Sequence, residues 1–451
     1  MIRVLFLAYF FPPAGGGGTQ RSAAFARHLP TFGYEPVVVT GPAAADERWA
    51  PADPTLAAHL PRDLEVHRLE GPVPRQGAHA QRLRRWLDAP TPFARWWRRG
   101  AVDAGLAAAA GGVDVIYASM SPFESAAAAA ELARRLAVPW IADLRDPWAL
   151  DEMQVYPTVL HRAREAARMR AALSSATAIV MNTAAAAEAL RRRFPELSAK
   201  RIETIPNGYE ADDFAAPPHA GDPDAFRIVH TGTLHTRLGR RTRATGSMRR
   251  VLGGDGDVDV LTRSPVFLLE ALARLRDRDP SLGERIELHL AGDLGAEDLR
   301  AAQAVAGVHM HGYLPHGRSI DLVRSADLLF LPMHDLPAGR RARIVPGKTY
   351  EYAASGRPIL AAVPEGDARD LLQTLPHANL CAPADVEAMA AIVARLAARK
   401  DAAGREPDCT SPAITAFDRR ELTLQLAAVL DEALGRTPTK VRVAPRLRLV
   451  S

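Results

Sequence analysis

Four consecutive glycines, Gly15, Gly16, Gly17 and Gly18, follow the short apolar run Val4–Phe11 and the turn Pro12-Pro13. A helix-like stretch, Thr19–Leu29, comes next, with Phe25 and Leu29 one turn apart. Strand, glycine loop and helix together form a device for holding phosphate. Glycine leaves room for close approach and accepts backbone angles closed to other residues. A helix start adds free N–H groups and a partial positive charge. The alternative is a flexible turn that binds nothing.

Other chemistry-bearing clusters are fewer. Asp255, Asp257 and Asp259 form an acidic triplet that could hold a divalent cation. It lies in Arg237–Thr262, which lacks apolar periodicity and reads as a solvated surface insertion. The two cysteines, Cys381 and Cys409, sit in no metal-ligand pattern and cannot build a disulfide framework. No metal site is expected. Arg82-Leu-Arg84-Arg85-Trp86 and Phe93-Ala-Arg95-Trp96-Trp97-Arg98-Arg99 interleave arginine with tryptophan, as a surface binding anionic headgroups would. A helix whose tryptophans pack inward explains the same pattern.

Apolar runs that could position such groups alternate with helical patterns in both halves. The first half offers strands at Val4–Phe11, Pro36–Thr40, Val113–Ser119, Trp140–Asp143, Ala178–Asn182 and Ile202–Ile205, with helices at Glu124–Leu136 and Thr183–Phe194. The turn-rich stretch Asp212–Pro223 reads as a linker. The pattern then restarts at Phe226–His230, and helix Val266–Asp277, strand Ile286–Ala291, strand Val308–His311, helix Ser319–Ser325, strand Leu328–Leu331, helix Lys348–Ala354 and strand Pro358–Ala362 follow. Short apolar strands between helices imply parallel sheets covered on both faces. The expected class is α/β, with two Rossmann-like lobes at 1–215 and 224–405 and a cleft between them. A helix at 413–435, starting after Ser411-Pro412, returns to the first lobe, and a basic, poorly ordered tail occupies 437–451.

The chain is 451 residues long, 47% hydrophobic and 24% charged, with a net charge of +5, all of which suit a soluble globular protein. The positive balance favours anionic partners, although genomic base composition also produces Ala-, Arg- and Pro-rich chains. No nucleic-acid-binding signature is present, so no nucleic-acid partner is expected. No run of about 18 apolar residues exists, and the N-terminal apolar run lacks the flanks of a signal peptide.

Seven stretches carry a family resemblance, in the family's order along nearly the whole chain. They are Tyr9–Gly18, Ile141–Trp148, Ile205–Tyr209, His230–Leu234, Leu290–Gly292, Gly312–Pro315 and Pro346–Pro358. The chain resembles the family-4-type retaining glycosyltransferases of GT-B architecture. The resemblance implies a donor nucleotide held mostly by the second lobe, transfer of a sugar from a nucleotide-diphosphate sugar with retention, and a glycan or lipid-linked acceptor. It also implies a metal-independent hexosyltransferase of polysaccharide or glycoconjugate synthesis, with no cofactor besides the nucleotide sugar. Localisation is expected to be cytoplasmic, with Arg82–Arg99 as a candidate contact with the inner membrane face.

The chemistry requires positive charge where the departing diphosphate gains negative charge. The resemblance places Arg263 there, in Arg263-Ser264-Pro265 ahead of a helix, with Arg237 and Arg240 as rivals. Lys348 is the second cation, at a helix start after Pro346-Gly347. Glu351, one turn on, is assigned the ribose hydroxyls, while Gly232, Tyr313 and Leu314 are placed around the nucleotide. In the first lobe Asp143 and Glu124 are catalytic candidates, with Arg145 and Asp146 beside them as orienting or structural groups. One departure stands out. The family often has a glutamate eight positions before Glu351; here that position is Arg343.

Other readings are a sugar-nucleotide epimerase, a non-catalytic nucleotide-binding lobe pair, or a NAD-dependent oxidoreductase. The last is disfavoured because the second strand ends in Thr40-Gly41-Pro42 without the acidic residue that binds ribose.

Overall fold

A computed structural model describes residues 1–451 except 44–50, 75–76, 78–79, 81–83, 85, 155, 216–221, 223, 252–256, 304, 404–411 and 438–451. Arg82, Arg85, Asp255, Cys409, Ser411, the middle of the expected linker and nearly all of the basic tail lie outside the described residues. The chain divides into two units: Met1–Gly208 with the segment from Arg419, and Tyr209–Asp418.

The first unit is built on a seven-stranded, all-parallel sheet. Its strands are β1 (Ile2–Ala8), β2 (Tyr34–Thr40), β3 (Glu65–Arg68), β4 (Val115–Met120), β5 (Trp140–Leu144), β6 (Ala178–Met181) and β7 (Arg201–Thr204), in the order β3-β2-β1-β4-β5-β6-β7. Side chains alternate between faces along a strand. Leu5, Leu7, Ile116 and Ile179 join one buried cluster, and Val4, Phe6, Tyr117 and Val180 join the other. Burial on both faces is why these strands are continuous apolar runs instead of alternating ones.

The second unit holds a six-stranded parallel sheet. It comprises β8 (Phe226–Thr231), β9 (Ile286–Ala291), β10 (Val308–Gly312), β11 (Leu328–Pro332), β12 (Ile359–Ala362) and β13 (Ala378–Cys381), in the order β10-β9-β8-β11-β12-β13. Phe226, Ile228, Leu288 and Phe330 fill one face; Val229, Leu329, Leu331 and Ile359 fill the other. Strand order reverses between β1 and β4 in one sheet and between β8 and β11 in the other. Such switch points are where open α/β sheets bind ligands, beyond the carboxyl ends of the strands.

Three expectations change. The segment 237–262 is not a plain surface loop. It contains helices Thr236–Ala244 and Gly246–Val251 and a 3-10 turn at Val260–Thr262. Buried Thr236 and Thr242 anchor the first helix, and Asp259 caps Leu261 and pairs with Arg243 (3.0 and 2.5 Å) instead of serving a cation. Second, the final helix is interrupted. A 3-10 turn, Pro412–Phe417, precedes helix Arg419–Ala433, and the Phe417 carbonyl at the break accepts the Tyr209 N–H at 3.1 Å. The helix buries Leu422, Leu426, Val429 and Leu430 in the first unit, beside Phe6 and Phe25. Third, helix Pro92–Ala108 turns its Trp97 and Phe93 inward. Trp97 is fully buried, donates from its indole nitrogen to Ser125 at 3.0 Å and meets Tyr9 edge-on. Those aromatics are core, whereas Trp96 is partly buried and Trp86 is 67% exposed. Among the described residues no helix is long and apolar enough to cross a membrane.

Candidate anion site at the end of the second sheet

β8 ends in His230-Thr231-Gly232 at the switch point of the second sheet. His230 is 1% exposed. Its Nδ1 lies 2.9 Å from the Phe330 carbonyl, which can only accept, so the proton sits on Nδ1. Burial, with help from Lys348, holds the ring well below its ordinary pKa, and it is neutral at pH 7. The Nε2 lone pair therefore accepts a hydrogen bond from Lys348 Nζ at 3.1 Å.

Lys348 opens the helix Lys348–Ala354. Tyr352, four residues on and on the same face, accepts the Thr231 N–H at 2.8 Å and pins that helix beneath the turn. The half-buried Lys348 has its pKa lowered to about 7, by desolvation first and then by Arg263; Glu351 partly opposes this. Arg263 is delivered by the chain after the Val260–Thr262 turn, and its carbonyl accepts the His235 N–H at 3.0 Å. The His235 ring is pushed down to about 3, again by burial first, then by Arg263 and Lys348. Lys348, His230 and His235 are all shifted away from carrying charge. Desolvated bases that suppress one another's charge mark a place where an anion would restore it.

Gly232 serves this cluster by what it lacks. Its φ is +105°, and a Cβ there would stand 2.6 Å from Lys348 Nζ and 3.0 Å from Cε. Its N–H is already committed to the Ala291 carbonyl at 2.7 Å, so it offers space for the ammonium and no donor to a phosphate. Gly232→Ala is expected to displace Lys348 and weaken nucleotide binding by at least about tenfold, or 1.4 kcal/mol. Isothermal titration with a nucleoside diphosphate would measure it, and an unchanged Kd would show that the ammonium does not need that space.

The remaining second-unit candidates lie nearby or along the same sheet end. Glu351 is half-buried and acts electrostatically on Lys348. Tyr313 and Leu314 follow Gly312 at the end of β10 and are half-buried. Gly292 donates to the Gly312 carbonyl at 2.7 Å, which links the ends of β9 and β10. Arg343 is half-buried in the segment between β11 and the Lys348 helix. Arg240 pairs with Glu297 at 3.4 Å, and Arg237 is exposed on the same helix.

The first-unit candidates fare differently. Asp143 is fully buried and accepts from Arg21 Nε and a second guanidinium nitrogen, both at 2.8 Å, and from the Tyr117 hydroxyl. With both oxygens held inside the fold it cannot touch substrate; the catalytic assignment is replaced by a structural one. Arg21 completes the brace by donating to the Pro206 carbonyl at 2.5 Å. The glycine run is also partly reassigned. Gly15 is buried and its N–H donates to the Pro51 carbonyl at 2.9 Å, so it is unavailable to phosphate. Gly16 adopts φ +91° and ends as the cap of helix Gly17–His28. A Cβ on Gly18 would fall 1.1 Å from an Arg145 nitrogen, so this glycine makes way for a guanidinium. Arg145 in turn pairs with Asp146 at 3.4 Å. Gly17 is exposed, and Glu124 starts helix Glu124–Leu136 at the carboxyl end of β4.

Known proteins share these units. The model of the glycosyl transferase 4-like domain matches residues 16–208, and that of the glycosyl transferases group 1 matches residues 261–399. The chain belongs to the family-4-type glycosyltransferases of GT-B fold. A D-inositol 3-phosphate glycosyltransferase of Streptomyces griseus is 29% identical to it over 189 residues, 38% of this chain and 39% of that relative. The match therefore spans about two-fifths of the curated relative's length. Among solved structures, the sucrose-phosphate synthase of Thermosynechococcus elongatus superposes with a TM-score of 0.64 at 16% identity, covering 96% of this chain and all of that one. Anabaena HepE, solved with UDP and glucose, gives a TM-score of 0.56 at 16% identity with the same coverage. At such identity the likeness establishes this glycosyltransferase's fold. Motif order singles out Arg263 and Lys348 as candidates and gives no role to His230 and His235. His230 stood in a quoted motif, yet only the folded strand end shows what its ring receives.

Proposed function

We propose that this glycosyltransferase moves a sugar from a nucleoside-diphosphate sugar to a glycan or lipid-linked acceptor, with retention of configuration and with its own cations in place of a metal. The observation that carries the reading is the Lys348–His230 contact beside Arg263 at the switch point of the second sheet. As the bond between the anomeric carbon and the diphosphate breaks, charge grows on the leaving oxygens. Preorganised cations stabilise that charge in a site partly shielded from water. His230, neutral and fixed, orients the ammonium without competing for the anion. Glu351 takes the ribose hydroxyls. In the retaining route the leaving oxygen accepts the acceptor's proton on the same face, so no enzymatic nucleophile is needed. Family membership supports retention, and the UDP of the HepE structure favours a uridine nucleotide.

A thermal-shift screen against UDP, GDP, ADP, CDP and dTDP tests this directly. One diphosphate should raise Tm, since a ligand that binds only the folded state stabilises it by about 2.7 kcal/mol at a hundredfold excess over Kd. No shift with any of the five would remove the donor assignment.

A further inference from the structure

Outside this cluster, the second sheet carries a group of ligating side chains at its outer edge. Glu287 and His289 lie on β9 and His309 and His311 on β10, the edge strand. Parallel pairing puts His309 directly beside His289. The rings of His309 and His311 stack on His289 at 4.6 and 5.2 Å. One ligand atom each from Glu287, His289 and His309 lie within 4.8 Å of one another.

We propose that Glu287, His289 and His309 form a binding site for a divalent transition-metal ion of the zinc type, which fastens the edge strand β10 to β9. Two imidazoles and a carboxylate are a donor set that suits zinc; calcium and magnesium prefer all-oxygen ligands. Zinc–ligand bonds of about 2.0–2.2 Å require the donors to stand closer than their present spread, so binding would draw the exposed His309 ring inward from its stack on His289. His289 Nε2 and Glu287 Oε2 are already 3.1 Å apart. Three protein ligands leave a fourth position for water on the exposed side.

His311 is a positioning residue in this arrangement. Its Nε2 lies 2.9 Å from His289 Nδ1. Without metal, His289 donates from Nε2 to Glu287 and accepts at Nδ1 from His311. With metal, the Nε2 lone pair turns to the ion and Nδ1–H donates to His311, the usual outer support of a ligating histidine. Both rings change tautomer, and no net proton is released. His289 is 8% exposed, so the candidate site is anchored on a buried ring. Arg227 faces the same carboxylate, 3.7 Å from Glu287.

The ion would not act on the departing diphosphate. His289 pairs with Val229, the neighbour of His230, so the two histidines project from opposite faces of the sheet. Its effect would fall on β10 and on the Gly312–Leu314 turn that β10 leads into.

The test titrates the full chain, free of any affinity tag, with Co2+ alone and follows its visible d–d absorption. The expected result is saturation at one equivalent, reversal by Zn2+, and no competition from Mg2+. His289→Ala and His309→Ala should each abolish the bands, and His311→Ala should weaken binding by about 10–100-fold. His309 is exposed, so its variant keeps the fold, which circular dichroism would verify. Bands unchanged in His309→Ala, or absent from the wild type, would overturn the proposal.

Discussion

Replacing Lys348 by methionine is expected to cut kcat/KM by about 10²–10³ and, at the same time, to raise the melting temperature of the unliganded protein. The loss follows from removing one preorganised donor at the leaving group, which costs about that factor in enzymes whose transition state gathers charge. The gain follows from the sign of the pKa shift. An ordinary lysine titrates near 10.5; in the fold Lys348 is lowered to about 7, by burial first and by Arg263 second. Below pH 7 both folded and unfolded chains carry the ammonium, and the fold bears the full cost of burying it. Between pH 7 and 10.5 the unfolded chain binds the extra proton, so the penalty fades as pH rises. Methionine fills similar space without that charge, and each kcal/mol recovered is worth about 2–4 °C for a unit of this size. A variant both inactive and less stable at pH 6.5 would mean that Lys348 is a structural partner of His230. Differential scanning calorimetry with a transfer assay distinguishes the two.

Asp143→Ala is expected to destabilise the first unit by about 3–5 kcal/mol, the usual result of stranding one half of a buried ion pair. Arg21 is 1% exposed and loses both of its 2.8 Å bonds to the carboxylate, and Tyr117 loses its acceptor. The double change Arg21→Met with Asp143→Leu should recover much of that loss, because well-packed apolar residues often replace a buried pair without cost. Thermal unfolding of the three proteins measures it. A loss below about 1 kcal/mol for Asp143→Ala, combined with loss of turnover, would return Asp143 to the catalytic residues.

Much of the architecture is legible in the sequence for one physical reason. Parallel strands buried on both faces are uninterrupted apolar runs, and Val4–Ala8, Ile141–Leu144 and Leu328–Leu331 stand out from their surroundings. Edge strands do not share that burial. Glu-Val-His-Arg of β3 and Ala-Asn-Leu-Cys of β13 are short and partly polar, and neither was expected as a strand. The 237–262 segment concealed its helices because their anchors are Thr236, Gly239 and Thr242, which carry no apolar period. At the site, Arg263 and Lys348 were accessible through motif order. Their joint effect on His230 was not, since a tautomer depends on the carbonyl of Phe330, a hundred residues away. Asp143 shows the reverse error: a carboxylate after a buried strand reads as a cleft residue until Arg21 is seen against it. The histidines of β9 and β10 are likewise invisible as a group until parallel pairing sets His309 beside His289.

The central claim is that Lys348 is held partly deprotonated by burial and by Arg263, waiting for a diphosphate. Calorimetric titration with the nucleotide sugar of the base found by the screen, at pH 8 in two buffers of different ionisation enthalpy, tests it most directly. A bound diphosphate restores the ammonium, so binding should take up close to one proton in the wild type and none in Lys348→Met, and affinity should fall as pH rises above 7. Tight binding with no proton uptake, equal in wild type and variant, would contradict the account.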